Sequence, residues 1–163
     1  KGFDLLLQAL HKLKDSAPAF KVDLYGAGPE EEKLKQMVLE LSLEDTISFR
    51  GFVDSLLPAM RKADFLVMPS RSEGMPVTVL EAWSQRLGLV ATIVGGVPEI
   101  VTDGVNGLLV PPEDVDALAA GINHAVSNLP EMRRYGSAGF DLVREKYTYS
   151  RQAELLRRIY NRS

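Results

Sequence analysis

The stretch Phe65-Leu66-Val67-Met68-Pro69-Ser70-Arg71-Ser72-Glu73-Gly74-Met75-Pro76-Val77-Thr78-Val79-Leu80-Glu81-Ala82 decides the fold expected of this chain. Its first four residues form an unbroken apolar run before a proline, which is typical of a strand buried on both faces of a parallel sheet. A polar loop follows from Ser70 to Met75, and we predict a helix from about Pro76 to Leu87. A strand that leads through a glycine-containing loop into a helix is the repeating unit of doubly wound parallel sheets.

The rest of the chain repeats this alternation of strands and helices. Apolar spacing and turn residues predict further strands over residues 21–25, 46–49, 89–92 and 108–110, and further helices over about 3–15, 29–42, 56–63, 114–128, 130–145 and 149–161. Such an order indicates an α/β fold, a Rossmann-like parallel sheet with helices on both faces. No linker, internal repeat or low-complexity segment interrupts it, so residues 1–163 are predicted to be one domain.

Composition narrows the class of protein further. The chain has 163 residues, of which 45% are hydrophobic and 25% charged, as in ordinary soluble domains. A net charge of −3 gives no reason to expect a nucleic acid partner. The chain contains no cysteine, which excludes disulfides and thiolate metal sites and suits the cytoplasm. It starts with Lys1 rather than methionine, so we expect it to be a piece of a longer protein.

The loop and helix after residues 65–68 are the candidate ligand site. Ligands of doubly wound sheets bind outside the carboxyl ends of the strands, and a helix that begins near Pro76 would offer free amides to a phosphate there. Gly74 would allow that phosphate to approach the backbone closely. Glu81 lies roughly 7 Å along the helix, where its two oxygens could accept hydrogen bonds from both hydroxyls of a ribose. Glu73 is placed to do the same for a sugar beyond the phosphates.

A purely structural interpretation of the two glutamates also exists. Glu81 would then be a solvated or salt-bridged helix residue, and Glu73 an acid near the start of the helix. The neighbours of Glu81 weigh against a solvated face, because they are almost all apolar: Val77, Val79, Leu80, Ala82 and Trp83.

Three segments in this order and spacing resemble the signature of the retaining GT-B glycosyltransferases of the glycosyl transferases group 1 family. They are Glu73-Gly74-Met75-Pro76, Leu80-Glu81-Ala82 and Gly95-Gly96-Val97-Pro98-Glu99. Four further segments are similar to other turns of that family, and they extend the resemblance over nearly the whole chain: Lys1-Gly2, Tyr25-Gly26-Ala27-Gly28-Pro29, Phe49-Arg50-Gly51-Phe52-Val53, and the run from Asp103 to Pro111.

The resemblance implies that the chain is the C-terminal, donor-binding half of a GT-B fold. Its substrate would be a nucleotide-diphosphate sugar, transferred with retention of anomeric configuration and without a metal or other cofactor. Lys1, on the donor diphosphate, and Glu73, on the transferred sugar, would be the catalytic residues. The other substrate-binding residues implied are Gly74, Met75, Pro76 and Val77 for sugar and phosphate, Glu81 for the ribose, and Gly51, Phe52 and Val53 for the base.

The resemblance also implies parts that this sequence lacks. The family's first strand, which carries a Gly-Arg phosphate ligand and is central to the sheet, would precede Lys1. An N-terminal domain of the same full-length chain would bind the acceptor, whether a sugar, a lipid-linked acceptor or a polysaccharide. The fragment by itself is therefore expected to be inactive. The full-length protein would be cytoplasmic, with peripheral membrane contact as an option, since residues 149–161 are predicted to be an arginine-rich amphipathic helix. Docking of that helix on its apolar side is the alternative.

One turn departs from the family pattern. After Leu-Glu-Ala the family usually has a glycine, one further residue and a proline, whereas this chain has Arg86, Leu87 and Gly88. Glycine often ends a helix in the left-handed region, where arginine is costly. The helix should therefore either end two residues later, at Gly88, or pass through a strained turn at Arg86.

Other signals favour less specific interpretations. Asp114-Val115-Asp116 matches a metal motif of another glycosyltransferase fold, but its position before an apolar helix predicts capping. Gly26-Ala27-Gly28 lacks the third glycine of the dinucleotide pattern. His11 and His124 are each isolated from a set of partners that would make a site. Two alternatives to a transferase remain: another GT-B enzyme, such as a phosphorylase or an epimerase, and a non-catalytic nucleotide-sugar-binding or interaction module.

Overall fold

The computed structural model describes residues 1–148, and in this part of the chain seven helices alternate with five strands. In chain order they are α1 (Phe3–Leu13), β1 (Val22–Tyr25), α2 (Glu31–Glu40), β2 (Ile47–Gly51), α3 (Leu57–Met60), β3 (Phe65–Met68), α4 (Val77–Ser84), β4 (Gly88–Thr92), α5 (Val97–Ile100), β5 (Leu108–Val110), α6 (Val115–Ser127) and α7 (Leu129–Lys146). All five predicted strands are present. The helix predicted over residues 149–161 lies outside the described residues.

The strands pair in parallel, as the sequence predicts. β1 pairs with β2, and β4 lies between β3 and β5, with Met68 opposite Ala91 and Ala91 opposite Leu109. All five residues of β4 are buried because this strand is central in its sheet and covered on both faces. Gly88 at its start is needed for packing, since a β-carbon there would lie 2.2 Å from the carbonyl oxygen of Met132 in α7.

Helices cover both faces of the sheets, which confirms the Rossmann-like α/β fold. On one side, α1 and α6 pack with β4 and β5 around buried residues such as Leu10, Val90 and Ile122. On the other side, α4 and α7 pack around Trp83, which is fully buried and donates its indole N–H to the carbonyl of Asn106 at 3.0 Å. The apolar faces of these helices therefore pack on the two faces of the sheet that contains β3, β4 and β5.

A large cavity lies between β1 and β3, which are not hydrogen-bonded to each other. Its volume is about 1680 Å³, and its inner walls include Leu24 of β1, Phe65 and Val67 of β3, and Leu6 and Leu10 of α1. The described strands therefore form a two-stranded and a three-stranded sheet rather than one continuous sheet.

Two helices, α4 and α2, end earlier than the sequence predicts, and for the same reason. α4 ends at Ser84 rather than Leu87, and the strained-turn alternative is the correct one: Arg86 has a φ of 58°. The amide of Arg86 donates to Trp83 and that of Leu87 to Ala82, a Schellman motif. α2 ends in the same way, because Ser42 has a φ of 54°.

Candidate functional site

The carboxyl ends of the parallel strands bring the predicted site segments to one edge of the sheets. The loop from Pro69 to Pro76, hereafter the β3–α4 loop, lies at this edge. The segment before α1 packs against its beginning, because Gly2 has a φ of 74° and a β-carbon there would lie only 1.9 Å from the carbonyl oxygen of Pro69. Glycine at position 2 therefore brings Lys1 next to the loop.

Lys1 and Glu73, the two predicted catalytic residues, are in direct contact. The Nζ of Lys1 donates to Oε1 of Glu73 at 2.8 Å, and the hydroxyl of Ser70 donates to the same oxygen at 2.5 Å. The Glu73 side chain is only 11% exposed, whereas that of Lys1 is 67% exposed. Ser70 is held in turn by the Thr92 hydroxyl of β4, which donates to its carbonyl oxygen at 2.5 Å. A largely buried carboxylate thus lies at the sheet edge beside an exposed cation.

The surroundings of Glu73 act on its pKa in opposite directions. Burial is the largest single influence and raises the pKa, whereas the hydrogen bonds from Lys1 and Ser70 and the nearby positive charge lower it, and the net direction is downward. The pKa of Glu73 is therefore held below its ordinary value, and the carboxylate is ionised at neutral pH. An ionised carboxylate accepts hydrogen bonds only, which suits recognition of sugar hydroxyls.

The Gly-Gly element supports the backbone of the β3–α4 loop. A β-carbon on Gly95, which has a φ of 50°, would lie 1.7 Å from the carbonyl oxygen of Glu73. The amide of Gly96 donates to the carbonyl of Gly74 at 3.2 Å, and a β-carbon there would lie 2.5 Å from that oxygen. In the sequence these glycines are recognisable only through the family pattern. In the structure they let the loop after β4 approach the backbone of Glu73 and Gly74.

The start of α4 differs in part from the prediction of free amides. The amide of Val77 donates to the carbonyl of Met75 at 2.9 Å and is not free. Those of Gly74, Met75 and Thr78 have no acceptor within residues 1–148. Met75 and Val77 expose 64% and 57% of their surface, whereas Pro76 is buried. Three amides at or just before the start of α4 therefore have no acceptor among the described residues.

Glu81 is half-buried in α4. Within the described part of the chain, its carboxylate has no hydrogen bond or ion pair, so a salt-bridged role is not supported. Glu81 lies in α4 and Glu73 in the β3–α4 loop before it, and no hydrogen bond links the two side chains. The ribose role predicted for Glu81 stays a prediction.

The segment predicted to flank a base follows β2. Gly51 has a φ of 68° and accepts a hydrogen bond from the amide of Gly26 at 2.8 Å, which joins the ends of β1 and β2. Phe52 is 75% exposed and Val53 is half-buried. This segment lies at the same edge as Glu73 but on the other sheet. The cavity extends to that edge, where Lys1, Ser70, Glu73 and Thr78 line one side and Gly26 and Gly28 line the other.

Arg71 is the residue that sequence reasoning missed. Its Nη1 and Nη2 each donate to one oxygen of Asp4 at 2.7 Å, and its Nε donates to Glu113 at 2.8 Å. These hydrogen bonds lower the pKa of Asp4 and raise that of Arg71. No spacing in the sequence indicates this cluster, because its members come from three separate segments. The only signal is that Arg71 is close to Glu73 in the chain.

The signals that favoured less specific interpretations have structural explanations. Asp114 caps α6, because its side chain accepts a hydrogen bond from the amide of Ala117 at 2.8 Å. His11 and His124 are exposed and hydrogen-bonded to Leu41 and Glu131. Within residues 1–148, no helix is both long and apolar enough to cross a membrane. The arginines behind the membrane-contact prediction lie outside the described residues.

Comparison with known proteins gives a family match. The family described as "Glycosyl transferases group 1" matches residues 1–141. The chain is 32% identical to the GDP-mannose-dependent alpha-(1-6)-phosphatidylinositol monomannoside mannosyltransferase of Mycolicibacterium smegmatis, a match that covers 96% of this chain and 44% of that protein. In general, the chain spans less than half the length of the curated relatives it matches.

Solved structures show the same fold. A sucrose-phosphate synthase from Thermosynechococcus elongatus is 27% identical with a TM-score of 0.86, and the match covers 100% of this chain and 43% of that one. HepE of Anabaena, solved in complex with UDP-glucose, is 27% identical with a TM-score of 0.84, and that match covers 96% of this chain and 45% of HepE.

Proposed function

The chain belongs to the glycosyl transferases group 1 family, and we propose that it is the donor-binding part of a glycosyltransferase that uses a nucleotide-diphosphate sugar. The observation that carries this proposal is the contact of Lys1 with Glu73 at 2.8 Å, at the carboxyl edge of a parallel sheet. A cation for a phosphate and a carboxylate for a sugar hydroxyl are thus side by side. The UDP-glucose bound to HepE is a ligand of the same chemical class.

Each part of such a donor has a counterpart at this edge. The diphosphate would take the ammonium of Lys1 and the available amides at the start of α4, where the helix dipole also favours negative charge. Glu73 would accept a hydrogen bond from the transferred sugar, and Glu81 from the ribose. The exposed ring of Phe52 and the backbone from Gly51 to Val53 would flank the base.

The proposed reaction is transfer with retention and without a metal ion. The bond between the anomeric carbon and the diphosphate oxygen breaks, and a bond to the acceptor oxygen forms on the same face. The leaving phosphate accepts the proton of the acceptor hydroxyl, so this domain needs no general base. Lys1 and the α4 amides would stabilise the charge that develops on the leaving group, as preorganised donors do.

The experiment is a transfer assay with the full-length protein, in which the anomeric configuration of the product is determined by NMR. The proposal expects a product with the configuration of the donor and an unchanged rate in the presence of a chelator. An inverted product would contradict retention, and chelator sensitivity would contradict metal independence. Phosphorolysis or epimerisation instead of transfer would favour another GT-B enzyme, and binding without turnover a non-catalytic module.

A further inference from the structure

The two groups at the centre of the proposed donor site come from segments far apart in the chain. Lys1 precedes α1, whereas Glu73 lies in the β3–α4 loop. The close approach of Gly2 to Pro69 joins the two segments at one point. α1 itself is held in the core by buried leucines such as Leu10. The position of Lys1 relative to Glu73 therefore depends on how the β3–α4 loop is attached to the start of this helix, where a second contact would fix the orientation of the loop.

The Arg71–Asp4 pair provides that contact. Asp4 lies in the first turn of α1, three residues after Lys1, and Arg71 lies two residues before Glu73. The guanidinium binds both oxygens of the Asp4 carboxylate at 2.7 Å, an arrangement that fixes orientation as well as distance. Arg71 and Asp4 expose 40% and 34% of their side chains, so the pair is partly shielded from solvent.

We propose that Arg71 is a positioning residue for the donor site, which holds Lys1 and Glu73 at pairing distance through its bidentate contact with Asp4. This inference rests on the proposed function, because it assigns Arg71 a role in that same site. Its effect is on geometry: a misplacement of about 1 Å can lower a rate by about 100-fold. Ion pairs near the surface contribute little to stability even when they are partly shielded, so removing this one should change the rate far more than the free energy of unfolding.

Direct binding of phosphate by Arg71 is the rival role, and the charges of the cluster weigh against it. Two carboxylates, Asp4 and Glu113, already face the guanidinium, and three of its nitrogens donate to them. A cation neutralised twice over is a poor site for a diphosphate. Lys1 has one carboxylate partner and a 67% exposed side chain, so it is the better phosphate ligand.

The test compares Arg71→Gln, Asp4→Asn and the double variant in the full-length enzyme, with kcat and KM measured for donor and acceptor. Each single variant should lower kcat by about 10- to 100-fold with little change in acceptor KM, and the double variant should be no worse than either single one. Arg71→Lys should not restore the rate, because an ammonium cannot reproduce the bidentate contact. Any of three results would overturn the proposal. Arg71→Gln could have the wild-type kcat, the losses of kcat in the single variants could multiply in the double variant, or Arg71→Lys could restore the full wild-type kcat.

Two control variants separate the bidentate contact from charge alone. Glu113→Gln removes the other partner of the same guanidinium, a single contact with a 59% exposed side chain, and should retain the wild-type kcat. Asp23→Asn removes the exposed ion pair between Asp23 and Arg50, which both lie in the β1–β2 sheet. This variant should also retain the wild-type kcat. A loss of rate in either control as large as that of Asp4→Asn would overturn the specific role of the Arg71–Asp4 pair.

A readout that needs no turnover keeps this inference distinct from the proposed function. The pKa of Glu73, followed by carboxyl-carbon NMR, should rise in Arg71→Gln because Lys1 no longer stays beside the carboxylate. It should stay as in wild type in Glu113→Gln. If the wild-type enzyme transfers no sugar but the pKa rises, the proposed function fails and the positioning role stands. If the pKa does not change, the positioning role fails whatever the activity.

Discussion

At the residue scale, the central feature is the direct contact of Lys1 with Glu73, in which the ammonium donates to a carboxylate oxygen at 2.8 Å. A donor bound as we propose would replace this contact, with its diphosphate on Lys1 and a sugar hydroxyl on Glu73. Ser70 donates to the same oxygen of Glu73 from within the β3–α4 loop. We therefore expect the carboxylate to rearrange less on binding than the Lys1 side chain, which is 67% exposed.

The lowered pKa of Glu73 predicts how stability depends on pH. A carboxyl whose pKa is lower in the folded state contributes stability above its unfolded pKa of about 4.3 and loses it as the pH falls through the folded value. Wild type should therefore lose stability on acidification below about pH 4.3 relative to Glu73→Gln, which cannot titrate there. Urea unfolding of both proteins from pH 7 to pH 3 measures the difference. A difference that does not change with pH would contradict the lowered pKa.

Gly95 offers a second prediction at this scale. Alanine there must adopt a positive φ and also places its β-carbon 1.7 Å from the carbonyl oxygen of Glu73, so the loop has to move. Gly104 is a matched control, since it has a φ of 69° but nothing within 4 Å of its β-carbon position. Gly104→Ala should lose about 1 to 2 kcal/mol of stability from backbone strain alone. Gly95→Ala should lose more and also weaken donor binding, and equal losses of stability with unchanged binding would contradict the support role of Gly95.

Individual site residues could be predicted where a motif carries them. The motif identified Glu73 and Glu81 as candidates, and the structure places Lys1 in contact with Glu73, while the roles that the resemblance implies for all three stay predictions. The Arg71–Asp4 pair and the Gly95 contact could not be predicted. Both depend on how segments that are far apart in the chain meet in space, and a linear pattern does not contain that information.

At the scale of elements, helix ends are where sequence and structure differ. α2 and α4 both finish in Schellman motifs whose left-handed residue is not glycine, namely Ser42 and Arg86. Apolar spacing continues past these points, because Leu43 and Leu87 are buried after the helix has ended. Periodicity therefore extends the predicted helix by two or three residues. The strands were easier to predict, since each is a short apolar run bounded by turn residues.

The two turns predict a contrast between substitutions. Ser42 is exposed, so Ser42→Gly should raise stability by about 1 kcal/mol through relief of left-handed strain. Arg86 also stacks on Phe140, with 3.8 Å between its guanidinium carbon and the ring centroid. Loss of that contact, worth about 0.5 to 1 kcal/mol, should offset most of the gain in Arg86→Gly. Thermal unfolding of both variants, and of Arg86→Gly in a Phe140→Leu background, measures the contrast. An equal gain in Ser42→Gly and Arg86→Gly would show that the stacking contributes nothing.

At the scale of the whole molecule, the main feature is the cavity of about 1680 Å³ between β1 and β3. Apolar side chains of both strands and of α1 line it, and within residues 1–148 each of the two strands has an edge without a partner strand. The resemblance places a further strand, central to the sheet, before Lys1. A strand in this position would pair with both edges and make the two sheets one, so we expect the segment preceding Lys1 in the full-length protein to occupy the cavity.

Hydrogen exchange tests this expectation. In the chain of 163 residues, the amides of β1 and β3 that face the cavity should exchange faster than those of β4, which has partners on both sides. In a longer chain that includes the preceding segment, exchange at β1 and β3 should slow to the level of β4. Unchanged exchange in the longer chain would mean that the segment does not pair with these strands.

The central claim is that this edge binds a nucleotide-diphosphate sugar, and calorimetric titration of the upstream-extended chain tests it most directly. UDP, GDP, ADP and their common sugar conjugates would be titrated into wild type, Glu81→Ala and Glu73→Ala. We predict saturable binding of one nucleotide, lost in Glu81→Ala, which lacks the ribose contact. Glu73→Ala should bind the free nucleotide normally and only the sugar conjugate more weakly. The account would be contradicted if the folded wild-type chain bound no nucleotide, or if both variants lost affinity for the free nucleotide equally.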